Sequence, residues 1–223
     1  MNLDKTYFVC WKNFINEKVR FFVIGVFLCF LIFFSGIADS HDAASKGIDG
    51  EIKGGESESF QEVNFTLDSP EGSLSLKDLR GSVVLLFFGF TSCADVCPIS
   101  LSTISHAFSY LTDNELKLSK SLFISLDPER DTLEKLKKYT GYFHPNIIGV
   151  TGNMKQLGTV AEIYGVNFEK KDSPDSALGY VIYHSSKIFV INQQGQLQKT
   201  FPHNIDAQLV VQQIKSLLKR NQL

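Results

Sequence analysis

Cysteine, net charge and internal repetition are all scarce in this chain, and each scarcity closes a route. The 223 residues carry a formal net charge of −2 with 21% charged side chains, which leaves no basic footprint for nucleic acid. No internal repeat divides the sequence, and its length suits one ordinary globular domain plus an appendage. Cysteine occurs only four times. The PxxxTxxC frame of a peroxidatic cysteine is missing, since Thr91 stands two residues before Cys93, and this disfavours a peroxiredoxin-like peroxidase. Apolar residues are almost absent from His41 to Ser59, so residues 39–59 read as a flexible tether of Gly, Ser and charge.

What is present begins with an uncharged apolar run, FFVIGVFLCFLIFFSGIA, from Phe21 to Ala38. As a helix it reaches about 27 Å, close to the hydrocarbon thickness of a bilayer. One reading is a cleaved secretory signal, with Gly36 and Ala38 as small residues at the cleavage site. The favoured reading is an uncleaved transmembrane helix over 21–38, because the run exceeds the usual signal core. The leading segment 1–20 holds Lys5, Lys12, Lys18 and Arg20 against Asp4 and Glu17. That bias predicts a cytoplasmic N-terminus and an anchor in the inner membrane, with everything after Ala38 on the periplasmic side. Bulky Phe27 and Leu28 before Cys29 argue against a lipoprotein. Cys10 and Cys29 then fall in the tail and the span, and only Cys93 and Cys97 are exported. An exported pair is a disulfide, a metal site, or both by turns.

The domain proper is expected over 60–223. Val63–Leu67 alternates like a strand, and SLSLKDLRG reads as a polar loop or short helical turn. Val83–Phe90 (VVLLFFGF) is a continuous apolar run, the mark of a strand buried on both faces. Pro98 opens a helix to about Leu111, and Leu122–Leu126 is a second buried strand. In DPERDT, Asp131 and Glu134 have capping-box spacing for a helix to about Tyr142. Ile147–Val150 is a strand, and a helix runs from Asn153 to about Tyr164. Tyr180–Tyr183 and Lys187–Asn192 read as a hairpin with His184 in its turn, and QQG leads into a strand over Leu197–Phe201. A last helix from Asp206 places Ile205, Leu209, Val210, Ile214, Leu217 and Leu218 on one stripe. This order predicts an α/β fold, a mixed β-sheet flanked by helices, and is that of a thioredoxin-like domain carrying an insertion.

The chemistry concentrates in GFTSCADVCP, at the carboxyl end of the most buried strand, where open α/β sheets place their ligands. The spacing is C-x-x-x-C, one residue longer than that of thiol oxidoreductases. On a helix, residues i and i+4 share a face, so both sulfurs can converge. The helix N-terminus favours the thiolate, which binds metal or attacks disulfides. A purely structural bridge is disfavoured because so small a loop constrains the unfolded chain little. Two thiolates with an imidazole suit copper, whereas zinc usually takes a fourth protein ligand. For the third ligand the residues leave His41, His106, His144, His184 and His203 open, with a lone hairpin histidine more often an ordinary surface residue. In DPERDT, Asp127 and Pro128 end a strand and Asp131 caps a helix, or Asp127, Glu129 or Arg130 line the metal site or a docking face, and the structural reading is favoured. Asp95 reads as a solvated loop carboxylate.

In this order, GFTSCADVCP, SLDPERDT, FHPNIIGVTG and YHSSKIFVIN resemble the Sco/SenC family of copper-binding cytochrome c oxidase assembly proteins. The resemblance spans about Phe60 to the C-terminus. It implies a thioredoxin-like fold, an N-terminal membrane anchor, and copper as Cu(I) or Cu(II) held by Cys93, Cys97 and His184. The function it implies is a metallochaperone for the dinuclear copper site of cytochrome c oxidase subunit II, loaded by an upstream copper donor. Some members act instead as thiol–disulfide reductases, with the same cysteines as the redox pair. Ala94 departs from the proline common after the first cysteine, and Asn192 from the usual acidic or glycine strand ending.

Overall fold

Every residue of Val83–Gly89 (β3) is buried, and the strand's two faces feed two separate apolar clusters. Val84, Leu86 and Phe88 enter one; Val83, Leu85 and Phe87 enter the other. This is why the run is uninterrupted: a central strand covered by helices on both sides has no polar face to show. The structure is a computed structural model that describes residues 64–174 and 179–220. The segments 1–20, 21–38 and 39–59, and with them the expected anchor and tether, lie outside the described residues. Among the described residues no helix is long and apolar enough to cross a membrane.

Around β3 stand Ser119–Ser125 (β4), Ile147–Val150 (β5), Lys187–Ile191 (β8) and Leu197–Pro202 (β9), in the spatial order β5-β4-β3-β8-β9. The first three run parallel, while β8 and β9 are antiparallel, so the sheet is mixed as expected. Over the Val83 face pack Val96–Ser109 (α1), Leu133–Phe143 (α3) and Ala207–Arg220 (α5), through side chains such as Leu101, Leu136 and Ile214. Over the other face Met154–Ile163 (α4) sets Leu157 and Val160 against Phe88 and Phe189. Two short strands, Thr66–Ser69 (β1) and Gly72–Ser75 (β2), form their own antiparallel ribbon.

Four local expectations change. SLSLKDLRG does hold a short helical turn, a 3-10 turn at Leu76–Leu79, but its first three residues belong to β2. A short helix at Asp113–Lys117 (α2) was not expected, although its Thr112–Glu115 capping box was there to be read. Asp131 does not cap α3; Thr132 does, its hydroxyl accepting from the Lys135 N–H. Leu209 is 45% exposed and leaves the apolar stripe of α5, which Val210, Val211, Ile214, Leu217 and Leu218 form instead.

The largest change concerns Tyr180–His184 (β7). It pairs not with β8 but with Phe168–Asp172 (β6), a separate antiparallel ribbon. No hairpin therefore joins β7 to β8, and His184 is the last residue of a strand, opposite Phe168. The sequence hides β6, because FEKKD is exposed over most of its length and carries no apolar alternation.

Candidate metal centre

The chain leaves β3 at Gly89, turns through Phe90–Asp95 and enters α1 at Val96, two residues before Pro98. Cys97 thus sits in the first helical turn, where Pro98 loses nothing by lacking an N–H. Asp95 is exposed and occupies the N-cap position without a side-chain capping bond. Cys97 is fully buried, and Cys93 is half-buried at the mouth of the loop. Both are unbridged thiols.

Gly89 explains how the buried sulfur fits. A Cβ at that position would lie 2.7 Å from Cys97 Sγ and 2.8 Å from Phe123 Cε2. Only glycine lets the sulfur lie directly against the strand.

His184 reaches the same point from β7. Its ring stands edge-on to Phe87 and Phe90, with centroids 6.4 and 5.9 Å away. Nδ1 lies 3.1 Å from the Ser185 carbonyl oxygen, which can only accept, so this nitrogen carries the proton. Nε2 then presents its lone pair, 3.8 Å from Cys97 Sγ. Among the described residues, Cys93, Cys97 and His184 are the one group of three metal-binding side chains, their donor atoms all within 4.8 Å of one another.

The other histidines do not join them. His106 is exposed on α1, and His203 lies in the turn after β9. At the C-terminus of α3, His144 Nδ1 accepts the Asn146 N–H at 3.0 Å while the ring packs on Phe108; burial lowers its pKa. His41 lies outside the described residues.

The two thiols share a proton unequally. Cys93 is held far below the ordinary thiol range, chiefly by the hydrogen bond from the Cys97 thiol, with further help from the N–H groups of Asp95 and Cys97. Cys97 is pushed up, first by donating that proton to Cys93 and then by burial. The accessible sulfur is therefore the thiolate and the buried one the thiol.

The three residues singled out by the sequence come together, but the residues around them were missed. Asp131, 1% exposed, accepts from the Thr91 N–H at 2.8 Å and from Ser125 Oγ at 2.7 Å, and also takes the Thr91 hydroxyl. Tyr139 lies against Phe123 with its buried hydroxyl unpartnered; burial foremost, then the nearby cysteines, raises its pKa. A glycine inside an apolar strand, as in FFGF, was the one signal of close approach that could have been used.

A thioredoxin-like sheet with two thiols and an imidazole converging at its strand–helix junction defines a protein with a soft-metal centre. The SCO1/SenC family profile matches residues 55–219, and the chain belongs to that family. It is 37% identical over 153 residues to the SCO2-like protein of Rickettsia prowazekii, covering 68% of this chain and 74% of that protein. The solution structure of apo Sco1 from Thermus thermophilus is 32% identical with a TM-score of 0.65, covering 71% of this chain and 92% of that one. The crystal structure of Arabidopsis thaliana ScoI with copper bound is 30% identical with a TM-score of 0.65, covering 71% and 98%.

Proposed function

We propose that this chain is a copper metallochaperone whose cargo is held by Cys93, Cys97 and His184. The observation that carries the reading is the convergence of these donors from two separate elements. Three ligands about 2.0–2.3 Å from one ion in a trigonal array stand about 3.6–4.0 Å apart. The 3.8 Å between Cys97 Sγ and His184 Nε2 fits that span. Two thiolates and one imidazole are the donor set that suits copper in either oxidation state. That ScoI of Arabidopsis thaliana carries copper supports the choice.

In this reading copper enters as Cys97 loses its proton, so loading releases the shared proton to solvent and is pH-dependent. Transfer proceeds by stepwise ligand exchange to a client, the dinuclear copper site of cytochrome c oxidase subunit II, after delivery by an upstream copper donor. Oxidation to a Cys93–Cys97 disulfide removes two ligands and releases the metal. The helix over 21–38 anchors the chain in the inner membrane with the domain on the periplasmic side. Retention in the membrane after alkaline extraction is the outcome expected of that placement, and a soluble form beginning at Asp39 would decide for a cleaved signal.

The test of copper binding is titration of the reduced 223-residue protein in a Cys10→Ser, Cys29→Ser background. One copper per chain with thiolate charge-transfer absorption is expected, lost in Cys97→Ser. Unchanged stoichiometry in Cys97→Ser removes the site.

The unequal sharing of the proton favours a second reading, a thiol–disulfide reductase. The Cys93 thiolate attacks a client disulfide, forms a mixed disulfide and releases one client thiolate. Cys97 then gives up its proton and displaces the second client sulfur, leaving a Cys93–Cys97 disulfide and two client thiols. His184→Ala separates the two, because a reductase working through the cysteines keeps its rate while a copper site loses a ligand.

A further inference from the structure

The residues that follow β4 hold both halves of the metal centre from one short loop. Asp127 and Asp131 are 2% and 1% exposed, and the loop closes on itself through the Asp131 N–H to the Asp127 carbonyl at 2.9 Å. Asp131 reaches toward the cysteines: its carboxylate takes the Thr91 N–H and hydroxyl, two residues before Cys93. Asp127 reaches toward the histidine strand: its Oδ1 accepts the Tyr180 hydroxyl at 2.6 Å. Arg130, paired with Asp127, donates through Nη1 to the Tyr180 carbonyl at 3.2 Å and lies 3.7 Å from the centre of the Tyr180 ring. Lys170, from β6, lies 3.9 Å from the same ring and pairs with Glu129.

Tyr180 opens β7 and His184 closes it. Alternation along a strand puts Tyr180, Ile182 and His184 on one face, spanning about 13 Å. Ile182 between them is buried in the core. A strand gripped at one end by three kinds of contact, pinned at its middle and carrying a ligand at the other behaves as a lever. The β6–β7 ribbon belongs to no larger sheet, so ladder hydrogen bonds to the main sheet do not fix where His184 stands.

We propose that the loop Asp127–Asp131 is a strut that sets the separation of the cysteine pair and His184, with Thr91 and Tyr180 as its positioning residues. The proposal rests on Cys93, Cys97 and His184 being the copper ligands. Tyr180 acts only through His184, while Thr91 acts through the loop that carries the sulfurs. Removing the Tyr180 hydroxyl therefore loosens the imidazole alone, and removing the Thr91 hydroxyl loosens both thiolates.

The test compares Tyr180→Phe and Thr91→Val in the 223-residue protein, by competition titration with Cu(II) and Cu(I). Tyr180→Phe is expected to weaken Cu(II) roughly three- to tenfold and leave Cu(I) within about twofold, since outer-shell supports tune affinity and two thiolates suffice for Cu(I). Thr91→Val is expected to weaken both. In a His184→Ala background, Tyr180→Phe is expected to add nothing, an outcome that a merely structural role would not produce. In metal-free protein, nuclear Overhauser contacts from the His184 ring to Phe87 and Phe90 are expected to weaken in Tyr180→Phe. An equal loss of Cu(II) affinity with and without His184 overturns the strut, as do unchanged affinity and unchanged ring contacts in a folded variant. If Tyr180→Phe does not fold, Arg130→Lys, which loses the bond to the Tyr180 carbonyl, carries the same expectations. Should the parent protein bind no copper, the copper reading falls, and the ring contacts alone then decide the strut.

Discussion

His184 Nε2 stands 3.8 Å from Cys97 Sγ across 87 residues of sequence, with its lone pair turned toward the sulfur by the bond from Nδ1 to Ser185. That one relationship joins the first turn of α1 to the end of β7, and most of what can be tested follows from how each side is held.

Removing the imidazole on the histidine side is the first case. His184→Ala is expected to weaken Cu(II) far more than Cu(I), because a two-coordinate Cu(I) is satisfied by two thiolates. The ring is half-buried against Phe87 and Phe90, not in an exposed turn, so its loss also costs about 1 kcal/mol of stability. A fall in thermal midpoint of about 2–4 °C, measured by calorimetry, is the expected sign. Intact Cu(II) binding in the folded variant would move the third ligand elsewhere.

Gly89→Ala tests the cysteine side. The added methyl meets Cys97 Sγ and Phe123 at distances that real Cβ atoms do not tolerate, and overpacking of this kind costs about 1–3 kcal/mol. Copper affinity is expected to fall in both oxidation states together, since it is a thiolate that moves. Trimming Phe123 to Leu in the same chain relieves only the aromatic contact, so stability recovers in part and copper affinity does not. Full recovery of both would show that the sulfur was never displaced.

The shared proton predicts how alkylation depends on pH. An ordinary thiol reacts about tenfold faster for each pH unit gained below its pKa. Cys93, held far below that range, is already thiolate at neutral pH, so its rate with iodoacetamide is expected to be flat over roughly pH 6–8. Cys97, raised and buried, is expected to stay unmodified. Cys97→Ser replaces the thiol whose hydrogen bond contributes most to lowering Cys93, with a donor of different length and reach. The Cys93 rate should then begin to climb with pH. A tenfold rise per unit in the parent protein would contradict the proton sharing.

Asp131 offers the last case. It accepts from Thr91 and Ser125 and pairs with Lys135 at 3.1 Å while almost wholly buried. Asp131→Ala leaves these donors without their acceptor and is expected to cost about 3–5 kcal/mol, far more than the loss of a helix cap. Chemical denaturation measures it. A loss of only about 1 kcal/mol would show that these buried bonds contribute no more than an ordinary helix cap does.

The sequence by itself determined those features whose causes are local. An apolar run without alternation marks β3 as covered on both faces, and the helix expected from Asn153 begins there, with Asn153 and Gln156 forming its capping box. Pro98 marks the first turn of α1 and so places Cys97 there, whereas Cys93 lies in the loop before the helix and does not share a helical face with it. Tertiary structure alone decided the rest, because pairing partners are chosen over distances no periodicity reports. The exposed FEKKD segment gives no strand pattern, yet it takes β7 away from β8 and turns His184 from a hairpin residue into a strand end. Asp131 has the spacing of a cap, but Thr91, forty residues earlier, offers it two donors in the core, and a buried carboxylate goes where its hydrogen bonds are. The three side chains of the candidate site were legible as residue types; the distance between them is set by contacts among β3, the loop after β4 and β7, which meet only when the chain has folded.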